Sequence, residues 1–464
     1  MSSALQLNRQ PDVLVVGGGA AGMLAAASAA RKGASVVVVR KGEGATGLSS
    51  GAIDIADAWH DVVPGPAAPP LAAGASYLEG ATHLARRYPH HPYARIGSGG
   101  RERMQDAMAL FRELVPALGL TCHADASNHV VVSPLGTTKR SAWLPAHAAI
   151  DFSKVAPASL VCIVDFADLA NFSAVRAADT LRWVAGLGGD TLKIQVVSVP
   201  MEASRLSPYE NGRQMAYALD DPQLAEDLAE RVRNAIASMA QAPDLIMVPA
   251  VLGIRNADAV RRRLEAATGC PVRELLALPP SAPGARLHAA LESGVSSLGV
   301  QLAAGTVYRA EIQESTDAEG ALSRSIGSVG VRTGRENVDF APRAVVLASG
   351  RFWAGGLTRE GTRQESIFSL PVVSCGKPVG AQFVGSLTGD RPEKEHELFR
   401  SGVAYSDALQ PLAADGLCAA QNLFAAGSIL SGYDPAKDGS GLGVCALTGM
   451  LAGERAAACC RTQE

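Results

Sequence analysis

The run Gly17-Gly18-Gly19-Ala20-Ala21-Gly22 carries the spacing G-x-G-x-x-G through Gly17, Gly19 and Gly22, and the chemistry open to such a run is anion binding. Gly17 would permit a tight turn off a strand, Gly19 would let a pyrophosphate approach the backbone, and Gly22 would let a helix pack closely on the strand. Exposed N–H groups and the positive end of the helix dipole then attract the phosphates. The motif is weak alone, but here it stands between a β-rich run and a helix-forming one, the context that gives it meaning. A bound dinucleotide or flavin is expected. About 20 residues further on, the same fingerprint calls for an Asp or Glu against the adenosine ribose. That place holds Arg40, followed by Lys41. Arginine could contact a phosphate or stack on adenine, or the pair could be a solvated strand end. In either case adenosine recognition is altered, and a mononucleotide stays open.

A second glycine cluster lies near the other end of the chain. Asn422-Leu-Phe-Ala-Ala-Gly427 reads as a strand entering a turn, and Asp438-Gly-Ser-Gly-Leu-Gly443 as the start of a final helix. Gly427, Gly439, Gly441, Leu442 and Gly443 are the residues this cluster would bring to a ligand. A second helix N-terminus suits the pyrimidine edge of a flavin, which gains negative charge on reduction. Two such helix starts favour a flavin over a plain nicotinamide cofactor; a loop before a terminal helix is the plainer alternative.

The elements that must position these residues follow from pattern. Residues 12–16 form a short β-rich run, 20–32 an alanine-rich helix stopped by Gly33, and 35–39 a second strand of β-branched residues. Together they make one βαβ unit with a right-handed crossover. Residues 42–51 are small and read as a ligand-facing loop; the proline-rich 63–74 reads as an exposed one. Helical spacing recurs over 101–118, 180–187, 223–239 and 444–461. Strand patterns recur over 160–164, 191–199, 245–248, 341–349 and 422–426. The expected fold class is α/β: a Rossmann-type flavin-binding domain in two sequence pieces, 1–130 and 285–464, with an α/β cap module, 131–284, inserted between them. The stiff Leu278-Pro-Pro-Ser-Ala-Pro-Gly284 marks the end of the insert.

Composition narrows the function further. With 464 residues, 47% hydrophobic and 19% charged, the chain is a large folded protein and not a disordered one. A net charge of −3 without a basic run argues against nucleic-acid binding. The 8 cysteines form no CxxC pair, so neither an iron–sulfur nor a zinc ligand set is visible. They read as reduced thiols of a cytoplasmic protein. No HExxH is present, so no metal site is expected. No P-loop or close carboxylate pair supports an ATPase or glycosidase, and no strand–turn–helix nucleophile elbow supports a hydrolase. The N-terminus lacks a signal-peptide pattern, and the apolar stretch 13–30 is broken by glycines, so no membrane span is expected.

Several stretches resemble one family. They are Leu14-Val-Val-Gly-Gly-Gly-Ala-Ala-Gly22, Ser49-Ser-Gly-Ala-Ile-Asp54, His91-Pro-Tyr-Ala-Arg-Ile-Gly97, and Ser133-Pro-Leu-Gly-Thr137 with Arg140 and Trp143. Leu278-Pro-Pro-Ser-Ala-Pro-Gly-Ala-Arg286 is another, and two more are narrower. These are Ala344-Val-Val-Leu-Ala-Ser-Gly-Arg-Phe-Trp-Ala-Gly-Gly356 and Asn422-Leu-Phe-Ala-Ala-Gly-Ser-Ile-Leu-Ser-Gly-Tyr-Asp-Pro435. Over nearly its whole length the chain resembles the B subunit of anaerobic glycerol-3-phosphate dehydrogenase, a flavoprotein family distantly similar to the fumarate reductase flavoproteins. The resemblance implies a three-part enzyme that converts sn-glycerol 3-phosphate to dihydroxyacetone phosphate. An FAD-bearing catalytic subunit would be the partner. A third, iron–sulfur subunit would hold the pair on the inner face of the cell membrane and pass electrons to quinone. The resemblance implies FMN here, which agrees with Arg40 in place of the ribose acid, while G-x-G-x-x-G favours FAD; FMN is put first with FAD close behind. Ser49, Ser50, Gly51, Ser349 and Gly350 would join the flavin site. Arg140, Arg286 and Arg351 lie in family-like stretches where a phosphate-holding cation would suit the substrate, and His147 is the nearest candidate base; surface or structural duty is the alternative for each of the four. Three readings stand. The chain is an electron-transfer flavoprotein whose substrate is oxidised mainly on the FAD-bearing partner, a dehydrogenase or reductase of a small anionic substrate in its own right, or a scaffold with a vestigial flavin site.

Overall fold

The structure is a computed structural model describing residues 7–57, 76–96, 100–156, 159–167, 169–187, 192–200, 211–316, 322–334, 336–358, 362–391 and 394–461. The chain divides into two compact units. One comprises Met1–Ala45, Ala81–Val115 and Ala290–Glu464; the other comprises Thr46–Gly80 and Pro116–Ala289. The proline-rich 63–74 lies outside the described residues.

The first unit is built on a parallel sheet of 5 strands in the order Leu423–Ala425, Ala344–Leu347, Val13–Val16, Val36–Arg40, Gln301–Ala304. Val13 pairs with Ala344 on one side and Val36 on the other. The three central runs are apolar without alternation and are buried almost throughout, as expected of a parallel sheet covered on both faces. Opening helix Ala20–Arg31 packs against closing helix Gly441–Arg461. Their approach depends on Gly449 and Gly453, where a Cβ would come within 2.4 Å of the Ala21 carbonyl oxygen and 2.1 Å of that of Ala25. By length and composition the closing helix could cross a membrane, but 67% of its apolar window is buried inside the protein, so it serves as a core helix. Three antiparallel strands, Thr306–Thr316, Leu322–Thr333 and Glu336–Phe340, form a separate sheet.

The second unit has a parallel sheet of its own, 4 strands in the order Lys193–Val199, Leu160–Phe166, Leu245–Val248, Val272–Glu274. Along the second of these, Val161 and Ile163 enter one core while Cys162, Val164 and Phe166 enter the other. Period-two alternation of apolar residues thus feeds two cores, and helices cover both faces. Hairpin His129–Val132 with Thr138–Ser141 adds an antiparallel pair.

The boundaries differ from the sequence expectation at one end. The second unit takes in Thr46–Gly80 and then Pro116 onward, both ahead of 131, because long-range backbone bonds tie the early loop to later parts of the unit. Ile53 and Trp143 exchange N–H to O bonds of 3.1 and 3.2 Å, and Ala277 N–H donates to the Ser50 carbonyl at 2.9 Å. Helix Ala174–Leu187 starts upstream of 180, where the Asp165 carboxylate accepts the Ala174 N–H at 2.9 Å.

Candidate functional site

The first unit gathers its glycine-rich segments at the carboxyl ends of its parallel strands, where open α/β sheets bind ligands. Gly17 follows strand Val13–Val16 with φ +121°, and a Cβ there would lie 2.2 Å from the Ala348 carbonyl oxygen. Only glycine accepts both the conformation and the approach. A Cβ on Gly22 would sit 1.9 Å from the Gly17 carbonyl oxygen, so the helix can fold back onto its own turn only without a side chain. Gly19 is the N-cap residue, and no side chain caps the helix. Helix starts of this glycine-rich kind are where backbone N–H groups and the helix dipole favour anions.

Of the other predicted cofactor residues of this unit, Gly427 and Ser349 meet the same turn. Gly427 ends strand Leu423–Ala425 and stands against Ala21 and Cys445; Gly350, after strand Ala344–Leu347, lies near Ser428 Oγ. Gly439 adopts φ +55°, and Gly441, Leu442 and Gly443 form the first turn of the closing helix. Arg40 ends the second strand and lies over Gly18. Three buried polar atoms at these ends, Arg40 Nε, Ser349 Oγ and Ser440 Oγ, have no hydrogen-bond partner. Buried polar groups are normally paired, so the set fits a polar, phosphate-bearing ligand that completes them.

Sequence reasoning missed Glu292 and Arg400, which shape this region. Glu292 pairs with Arg40 at 2.7 Å, placing a carboxylate at the strand end from a distant helix. Arg400 holds Asp438 in a two-pronged fork, Nη1 to Oδ2 at 3.0 Å and Nη2 to Oδ1 at 2.9 Å, both side chains buried. Asp438 also accepts the Asp434 N–H at 2.9 Å, which sets the turn before the closing helix. Burial pushes the Asp438 carboxyl up despite Arg400. His91 stands 3.8 Å from Asp438; burial, aided by the Arg400 charge, lowers it to about 3, so it is neutral. None of these partners shares a local motif with its residue, and only a lone Arg or Glu in an apolar stretch hinted at them.

Arg351 is fully committed. Its guanidinium donates to the carbonyls of Ser428 at 2.5 Å, Leu430 at 2.9 Å, Tyr433 at 3.0 Å and also Phe399, and it stacks 4.7 Å from the centre of the Tyr433 ring. It braces a loop and has nothing left for a phosphate.

The second unit holds the remaining predicted residues. Ser49, Ser50 and Gly51 lie in a loop fastened to 277–284: Ser281 Oγ donates to the Ser49 carbonyl, and Gly51 abuts Pro283. Arg286 and His147 come together around Glu274. Arg286 donates to Glu274 Oε2 at 2.6 Å, to Oε1 at 2.9 Å, and to the Gly253 carbonyl at 2.6 Å. Glu274 also accepts the Leu252 N–H at 2.7 Å. Burial raises the Glu274 carboxyl, but Arg286 outweighs it and the net shift is downward. His147 Nε2 is 3.5 Å from Glu274; burial, then the Arg286 charge, lowers it to about 3. Arg140 is apart from them on the hairpin opposite Val130, half-buried, its basicity lowered by burial and partly restored by Asp57. A cleft of about 330 Å³, counting its open mouth, is lined by Pro134, Phe172, Pro249 and Leu278 among others, with no ionisable side chain. It offers packing surface and no acid–base chemistry.

These features can be set beside known proteins. A family model described as an FAD binding domain matches residues 12–444. A protein of Vibrio vulnificus (strain CMCP6), named as the B subunit of anaerobic glycerol-3-phosphate dehydrogenase, is 28% identical over 450 residues, covering 96% of each chain. The protein of the same name from Yersinia pestis bv. Antiqua (strain Antiqua) is 28% identical over 459 residues, covering 96% of this chain and 97% of its own. Among solved structures, the open conformation of a flavocytochrome c3 fumarate reductase matches with a TM-score of 0.42 at 10% identity, covering 98% of this chain and 80% of that one.

Proposed function

Because the chain belongs to the family of FAD-binding domains, matched over residues 12–444, we propose that this flavin oxidoreductase binds FAD and acts as the B subunit of an anaerobic glycerol-3-phosphate dehydrogenase. The observation that carries the reading is the glycine turn between strand Val13–Val16 and helix Ala20–Arg31, with Gly17 and Gly22 at contacts no other residue could make. A glycine turn leading from a strand into a helix suits a pyrophosphate, which FAD has and FMN lacks. Arg40 with Glu292 would meet the adenosine side, supplying from a distant helix the carboxylate absent from the strand end. Ser349, Gly350, Gly427 and the closing-helix turn at Ser440–Gly443 would hold the rest of the cofactor.

When bound, the flavin supplies acceptance and onward transfer of the electrons removed from the substrate's secondary alcohol. The chain's own residues bind and orient it. The Arg400–Asp438 fork keeps the glycine turn rigid, and the closing helix presents its positive end. Arg286 is consumed by Glu274 and the Gly253 carbonyl, and His147 is buried beside them. Neither is disposed to hold a phosphate or to take a hydroxyl proton; Arg140 is the remaining candidate of the three. This distribution supports a relay role, with sn-glycerol 3-phosphate oxidised mainly on an FAD-bearing catalytic partner. Electrons would leave through an iron–sulfur protein that holds the assembly on the inner, cytoplasmic face of the cell membrane.

The test is anaerobic mixing of the flavin-loaded chain, without partners, with sn-glycerol 3-phosphate while flavin absorbance is followed. An absorbance unchanged until the FAD-bearing partner is added supports the relay. Rapid bleaching by the chain alone would assign it a complete dehydrogenase site. Acid extraction of the cofactor, with its mass measured, separates FAD from FMN.

A further inference from the structure

Three potential metal ligands that the sequence scatters are assembled within the second unit. His123, His129 and Asp151 each offer a ligand atom, and these atoms all lie within 4.8 Å of one another. The two imidazole rings face each other with centroids 3.9 Å apart and planes 30° apart, and His123 Nε2 is 2.8 Å from Asp151 Oδ2. His129 is 6% exposed, yet neither of its ring nitrogens has a hydrogen-bond partner. A buried imidazole with both nitrogens unsatisfied is costly, and nothing in the surrounding protein answers that cost.

The carboxylate is already oriented as a ligand. Asp151 Oδ1 accepts the Val130 N–H at 2.9 Å, the Ser153 N–H at 3.1 Å and the Ser153 hydroxyl at 2.8 Å. Those three donors fix the group and leave Oδ2 turned to the histidines, the outer-shell support that ligating carboxylates ordinarily have. The backbone around the cluster is equally constrained. His129 opens a hairpin strand, and Asp151 caps the short helix Phe152–Lys154. Side-chain exposures of 15% for His123 and 7% for Asp151 leave a narrow path for an ion and one water. Two imidazoles and one carboxylate make a borderline donor set suited to Zn²⁺, and a tetrahedral site would bring donor atoms to about 3.3 Å apart from Zn–N and Zn–O lengths near 2.0–2.1 Å. Small side-chain rotations close that gap. Lys154 Nζ, 3.0 Å from His123 Nδ1, is the internal competitor, a positive charge that must turn outward when a cation enters.

We propose that His123, His129 and Asp151 form a Zn²⁺ site of the second unit, with water in the fourth position, pinning the 123–129 segment to the turn at 151–154. The site is independent of the flavin reading. It is tested on the full-length, flavin-loaded chain after chelator treatment, by titration with Zn²⁺ in calorimetry and with Co²⁺ in visible absorption. One ion per chain is expected, with a Co²⁺ ligand-field spectrum of nitrogen–oxygen coordination and a rise in the melting temperature. His129→Gln and Asp151→Asn should each weaken binding by about 100-fold or more, and Lys154→Met should tighten it several-fold. Lys154→Met leaves all three proposed ligands in the chain, so it tests the site even if a ligand variant folds poorly. Failure of the folded, flavin-loaded chain to bind Zn²⁺ stoichiometrically at micromolar concentration would overturn the proposal. So would binding that ignores all three substitutions.

Discussion

The first and second units are made of the same parts and use them differently. Each has a parallel sheet, and each buries an arginine–carboxylate fork, Arg400 with Asp438 in one and Arg286 with Glu274 in the other. Each fork keeps a neutral histidine beside it, His91 and His147, both lowered to about 3. The difference lies at the helix starts. In the second unit, Asp165 caps Ala174–Leu187, Asn211 makes a capping box for Gly212–Ala218, and Asp221 caps Pro222–Ala237. Asp220 takes the N–H groups of Ile254, Arg255 and Asn256 ahead of Ala257–Thr268. In the first unit, Gly19 offers no side chain to the opening helix, and Ser440 Oγ stands unpartnered before the closing one. Polar side chains start the helices named in the second unit, whereas glycine starts the opening helix of the first.

The two forks give the largest test of this contrast. Glu274→Gln and Asp438→Asn should each cost about 3–5 kcal/mol, because each leaves a buried arginine without its anion. Denaturant unfolding should register both losses, while bound flavin, measured by absorbance ratio, should fall only for Asp438→Asn. Equal loss of flavin in Glu274→Gln would dissolve the distinction between the forks. Gly22→Ala comes next: forcing a Cβ against the Gly17 carbonyl should cost about 1–3 kcal/mol and empty the flavin site.

The buried histidines set a pH dependence common to both units. Each stays neutral in the folded chain, while the unfolded chain protonates it below about 6.5. Acidification from there toward pH 3 therefore lowers stability, by up to about 1.4 kcal/mol per pH unit for each histidine. His91→Gln and His147→Gln should each flatten that slope, seen as a smaller shift of the denaturation midpoint between neutral and mildly acidic buffer. Smallest are the cap variants. Asp165→Ala should cost about 1 kcal/mol and leave flavin affinity alone. Ser440→Ala should barely change unfolding and should weaken flavin binding on titration of the stripped protein.

The sequence by itself determined what is local. Gly17 and Gly22 announce a turn that only they can make, unbroken valine runs announce strands buried on both faces, and the chain's likeness to a flavoprotein family rests on such contiguous stretches. Helix starts were legible less well: Ala174–Leu187 begins upstream of the expected 180 because Asp165, on the preceding strand, supplies its cap. The antiparallel strands 306–340 carry too many exposed, mixed residues to stand out. The tertiary structure alone decided how the charges are spent. Arg286 and Arg351 are candidate phosphate-holding cations in sequence, yet the fold surrounds one with Glu274 and the Gly253 carbonyl and the other with four backbone carbonyls. Glu292 beside Arg40, the assignment of Thr46–Gly80 to the second unit, and the gathering of His123, His129 and Asp151 have the same origin. Turn and strand propensities act between neighbours along the chain, whereas the partner of a buried charge is whatever the packed fold brings within reach.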